Sequence, residues 1–162
     1  MIRRDVYLAI RNNDYDAIVD IITHHGGLET VKMNDWIVSK LVVGIGNLKM
    51  IRYFTHLGCR TLIAAIIFKK WEIAKFIISL EYDMPDWKLE VAMIKSADMK
   101  ATDIIDMIIS KYPGILTRMN KFNMLEYKSL NKYAGIPQVL CEQSIVLPDY
   151  TGKVKGWFNF SM

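Results

Sequence analysis

The sequence predicts a mainly α protein, stacked helix–turn–helix units followed by a C-terminal capping segment, on three observations. A pattern of two apolar residues, one charged residue and two apolar residues occurs four times. The copies are Ile18-Val19-Asp20-Ile21-Ile22, Met50-Ile51-Arg52-Tyr53-Phe54, Ile73-Ala74-Lys75-Phe76-Ile77 and Ile104-Ile105-Asp106-Met107-Ile108. Apolar residues at i, i+1, i+3 and i+4 make one broad stripe on a helix and would fall on both faces of a strand. Each copy follows a second apolar segment across a short polar or glycine-bearing stretch, and each runs into glycine or proline. A length of 162 residues, 52% apolar and 23% charged, suits about one globular domain and excludes a disordered chain.

The first unit pairs residues 6–10 with the helix around 18–22, across Asn12-Asn13-Asp14. The second pairs 37–43 with 50–54 across Gly44-Ile45-Gly46-Asn47. The third pairs 62–68 with 73–77 across Lys69-Lys70, and the fourth 89–94 with 104–108 across Ser96-Ala97-Asp98. Asp16, Glu72 and Asp103, just ahead of three copies, suit a helix first turn, where the backbone dipole is positive; Lys49 is the exception. Gly26 and Gly58 end the first two second helices, because glycine enters the left-handed conformation without a Cβ clash. Pro85 and Pro113 stop the other two. Stacked side by side, the units bury a core that none buries alone. An irregular bundle, its helices alike only through amphipathicity, fits the same periodicity.

In this organisation the chain resembles a degenerate ankyrin-repeat array. The best copy is Val42-Val43-Gly44-Ile45-Gly46-Asn47-Leu48-Lys49-Met50-Ile51-Arg52-Tyr53-Phe54-Thr55-His56-Leu57-Gly58, which has the family's spacing of helix, turn, helix and terminal glycine. The likeness covers residues 5–114. The Thr-Pro-Leu-His tetrapeptide that opens the family's first helix is absent. The copies, counted from 18, 50, 73 and 104, are 32, 23 and 31 residues apart, where the family expects about 33. The shortest interval leaves no room for a β-finger. The resemblance implies a non-enzymatic protein–protein interaction module. Short arrays with this Ile, Lys, Asn and Tyr bias resemble those of large DNA viruses and phages, which implies a modulator of a host factor. Contacts are expected from the turn side and the outward faces of the first helices: Arg11, Asn12, Asn13, Lys40, Lys69, Lys70 and Trp71.

Residues 1–114 thus hold four hairpins and residues 115–162 the remainder. After Pro113-Gly114 one more helix is expected over 115–130. Residues 144–147 and 153–160 read as strands around the turn Pro148-Asp149-Tyr150-Thr151-Gly152, a β-hairpin. This segment either caps the last unit or binds, through Tyr150, Lys153, Lys155 and Trp157.

Net charge is +4, from 21 basic and 17 acidic residues. Residues 116–162 carry 6 of the basic and 3 of the acidic ones, which favours a protein partner with an acidic patch. Nucleic-acid binding is the alternative, through Lys49, Arg52, Tyr53 and Lys69-Lys70-Trp71, but no run of five or six basic residues supports it. The longest apolar run, seven residues from Leu62 to Phe68, is too short for a membrane span. No signal-like stretch follows Met1, and the two cysteines make no disulfide framework, so an intracellular, cytoplasmic location is expected. His24, His25, His56 and Cys59 are the candidates for a metal, without the Cys-x-x-Cys pairing of a zinc site. Gly44-x-Gly46 lacks the third glycine of a dinucleotide loop, and Asp14/Asp16 and Asp83/Asp86 sit where carboxylates cap helices. No catalytic residue, metal or cofactor is expected.

Overall fold

A computed structural model describes residues 2–121; the β-hairpin expected over 144–160 lies outside them. The described residues form ten helices and no strand. They divide into two compact units, one ending at Asp83 and one beginning at Met84. The first unit contains α1 (Ile2–Arg11), α2 (Tyr15–His24), α3 (Leu28–Val31), α4 (Asp35–Ile45), α5 (Leu48–His56), α6 (Thr61–Ile67) and α7 (Trp71–Ser79). The second contains α8 (Asp86–Asp98), α9 (Thr102–Lys111) and α10 (Ile115–Lys121). Three of the four expected hairpins therefore belong to one unit and the fourth to the other.

Within each hairpin the two helices are joined by one residue in the left-handed region: Asn13 (φ 56°), Gly46 (φ 79°), Lys69 (φ 57°) or Lys100 (φ 56°). In three of the turns the next amide N–H reaches back to the helix it has just left. Asp14 donates to the Ala9 carbonyl, Lys70 to Ala65 and Ala101 to Ser96, at 2.8–2.9 Å. These bonds satisfy carbonyls that the helix end leaves over and reverse the chain within three residues. Counted at this residue, from 13, 46, 69 and 100, the hairpins are 33, 23 and 31 residues apart. The first interval exceeds the one counted on the apolar pattern because α2 places one more residue than α5 between the turn and the pattern.

The fourth turn lies later than the sequence suggests. Ser96 and Ala97 are buried in α8, which continues to Asp98, and the reversal falls at residues 99–101. Both residues are small enough for a helix to pack against, so the apolar face runs on where a turn was expected. Gly26 (φ 82°) and Gly58 (φ 91°) close α2 and α5 as predicted. The one-turn helix α3 bridges the first two hairpins, and residues 57–60 alone link α5 to α6.

The charged centre of the pattern is exposed in Asp20, Arg52 and Asp106 and half-buried in Lys75. Its final apolar residue, Ile22, Phe54, Ile77 or Ile108, is buried in every copy. Side-chain caps start three helices: Asp14 accepts from the Ala17 amide, Asn34 from Trp36 and Ile37, and Asn47 from Lys49 and Met50. Lys49 is accommodated in its first turn, where Asn47 serves the amides and the Lys49 ammonium lies 4.3 Å from the Tyr15 ring centroid. In the first unit α1 packs on α4 and α4 on α6, while α5 packs on α7.

In the second unit α8 packs against both α9 and α10 and is buried almost all round. Arg118 of α10 bonds to Glu90, which has no exposed surface, and its other arm lies 3.4 Å from Asp86. A buried carboxylate is tolerable only when paired, so this arginine makes the position of α10 a condition of α8's burial.

Ile77→Ala and Ile108→Ala, one in each unit, should each lower the free energy of urea unfolding by about 2–5 kcal/mol. At the turns, Gly46→Ala should destabilise and Lys69→Gly should stabilise, each by roughly 1 kcal/mol in the same measurement, because the left-handed conformation penalises a Cβ.

Candidate interaction surface

The residues expected to make contacts gather at the turn end of the first unit. Arg11, Asn12 and Asn13 are exposed at the first turn, and Lys69 and Lys70 at the third. Trp71, the first residue of α7, is half-buried. The middle turn ties these ends together. Asn47 Nδ2 donates to Asn13 Oδ1 at 2.7 Å, and a Cβ on Gly46 would stand 3.9 Å from Ile73 Cδ1 of α7. Adjacent turns therefore form a row that exposes Arg11, Asn12 and Asn13 at its first turn and Lys69 and Lys70 at its third, beside Asp14, Gly46 and Phe68.

Lys40 lies elsewhere, half-buried along α4 with its ammonium 5.9 Å from the Trp36 ring centroid. Trp36 is 5% exposed, and the Arg60 guanidinium is 5.6 Å from the same centroid. Asp35 holds this cluster: its carboxylate accepts from the Arg60 amide (2.9 Å), Arg60 Nε (3.0 Å) and the Ser39 hydroxyl (3.2 Å). One side chain thus joins the start of α4 to the start of α6, a role nothing in the local sequence signals because the partners are 25 positions apart. Tyr150, Lys153, Lys155 and Trp157 lie outside the described residues.

On the α2 side the surface has the opposite character. A shallow concavity of about 570 Å³ is lined by Asp14, Asp16 and Asp20 with Tyr15 and Thr23. Tyr15 and Tyr53 meet edge to face at 5.8 Å. Burial raises the Tyr53 phenol above its ordinary pKa, opposed by the Thr23 hydrogen bond and assisted by Tyr15. Burial likewise raises Tyr82, with Cys59 and Asp83 adding to it.

Cys59 is buried, His56 Nδ1 lies 2.8 Å from the Arg52 carbonyl, and His24 packs edge to face on His25. Among the described residues no three His, Cys, Asp or Glu side chains are grouped to hold a metal ion. Gly44 lies inside α4 and Gly46 at its C-terminal cap, the negative end of the helix dipole, while Asn47 occupies the amides that follow. That is a poor cradle for phosphate. No helix among the described residues is long and apolar enough to cross a membrane.

Sequence reasoning found the turn residues through their polarity. It missed the exposed apolar side chains Leu8, Ile37, Ile45, Leu48 and Phe68, because a helical stripe does not say which of its edges stays uncovered.

A raised tyrosine pKa favours the neutral phenol in the folded chain. Its stabilisation is complete below the ordinary tyrosine pKa near 10 and is lost as pH rises through the raised value. Alkaline unfolding followed by circular dichroism should therefore show a shallower loss of stability above about pH 10 in Tyr53→Phe than in the parent.

Compared with protein-family models, characterised proteins and solved structures, the chain matches none.

Proposed function

We propose that this chain is a non-enzymatic protein-binding module of ankyrin-like stacked hairpins, which engages a partner through the turn row and the outward faces of its first helices. One observation carries the reading: consecutive hairpins of the first unit share a left-handed turn and pack first helix on first helix, and Asn13 and Asn47 join the first two tip to tip. Repetition of that kind places equivalent residues in a line, which suits recognition of an extended surface. The charge at the line's ends, Arg11, Lys69 and Lys70, fits an acidic patch on the partner. A host factor bound by a viral or phage protein is the setting the composition suggests. The inward-held Cys59 and the helix-end histidines fit scaffolding better than catalysis.

The test is affinity capture from host lysate with the full chain and an Arg11→Glu/Lys69→Glu/Lys70→Glu variant. A protein partner retained by the parent, insensitive to nuclease, and lost by at least about tenfold in the variant with an unchanged circular dichroism spectrum is expected. Retention abolished by nuclease and falling steeply with salt would instead mark a nucleic-acid binder.

A further inference from the structure

Among the described residues seven large apolar side chains are exposed, and five of them lie on or at the end of the first helices: Ile2, Leu8, Ile37, Ile45 and Phe68. Leu8 (43% exposed) stands opposite the buried face formed by Val6, Ala9 and Ile10. Counted back from the left-handed turn residue, Leu8 is equivalent to Leu41 of α4, Arg4 to Ile37 (42% exposed), and Arg11 to Gly44. Because α1 packs on α4 and α4 on α6, these positions form adjoining rows.

Gly44 breaks a local rule. It sits within α4, where glycine weakens a helix relative to alanine, and a Cβ there would meet nothing within 4 Å. Nothing among the described residues requires its smallness, whereas a backbone arriving from outside them would. The charge around the strip is net positive. Of the two carboxylates on α1 and α4, Asp35 is taken up by Arg60, and Asp5 is outnumbered by Arg3, Arg4 and Arg11, with Lys40 on the neighbouring helix.

We propose that the outer faces of α1 and α4, extended by Phe68, seat an amphipathic helix of the partner protein whose apolar stripe is flanked by carboxylates. The inference rests on the protein-binding reading above and specifies what is bound. The strip is made of helix surfaces whose backbone groups are already paired, so it offers nothing for an extended strand to bond to. A helix brings its own backbone bonds and buries only side chains. With 11 residues α4 is about 16 Å long, which matches three turns of an incoming helix. Gly44 is the point of closest approach, Leu8 and Ile37 pack on the stripe, and Arg4, Arg11 and Lys40 face the acids.

The probe is a displayed library of helical peptides about four turns long, with leucines fixed at helical spacing and the other positions randomised. Selection on the full chain should enrich Asp and Glu beside the leucine stripe. Gly44→Leu should weaken the selected peptides by at least about tenfold without lowering the melting temperature. Gly44→Ala, which meets no neighbour, repeats the test if leucine perturbs folding. Arg11→Glu/Lys40→Glu should weaken them comparably, and Asp16→Lys on α2 should not. Binders that are basic or uncharged, binders indifferent to Gly44→Leu, or no binders at all would overturn the proposal. So would concentration-dependent dimerisation abolished by Gly44→Leu, which would assign the strip to a second copy. Lysate capture that depends on Lys69 and Lys70 but not on Gly44 would overturn it while leaving the broader reading standing.

Discussion

The left-handed residue between paired helices is the constraint on which the architecture depends. A helix end leaves carbonyls without partners, and a chain that reverses within three residues must satisfy them at once. Asn13, Lys69 and Lys100 do this at the expense of a strained backbone, and Gly46 does it without strain. The turn also sets register. The residues three and four positions before it, Ala9-Ile10, Val42-Val43, Ala65-Ile66 and Ser96-Ala97, are buried in every hairpin. A turn placed one residue away would rotate each first helix by about 100° and bring different side chains to its partner.

Two of these four positions are lysine. A position that only had to turn would be best filled by glycine, yet Lys69 and Lys100 project cations from the tips. Gly44 presents the complementary case, a glycine in regular helix with open space around it. Neither choice follows from packing among the described residues.

The polar groups inside the first unit are largely reconciled locally. Thr55 bonds to the Ile51 carbonyl and to Thr61, each at 2.6 Å, and Ser39 to the Asp35 carbonyl at 2.8 Å. Asp35 reaches further along the chain, binding both the amide and the guanidinium of Arg60. In the second unit Glu90 and Arg118 play the joining part under more demanding conditions, because one carboxylate oxygen of Glu90 is buried with no hydrogen-bond partner among the described residues. A fully buried carboxylate half satisfied ties α8 closely to the arginine it has.

Helical periodicity, capping residues and stop signals are local properties, and they suffice to place the paired helices and most of their polar turns along the chain. The repeated apolar pattern also identifies Ile22, Phe54, Ile77 and Ile108 as core, since spacing on one helix decides which side faces inward. What spacing does not supply is the extent of α8, the short α3, the bond between Asp35 and Arg60, and the uncovered strip along Leu8 and Ile37. Each of these depends on which element lies against which. A stripe in sequence records that a face is apolar; only the neighbour that arrives, or fails to arrive, determines whether that face becomes core or surface.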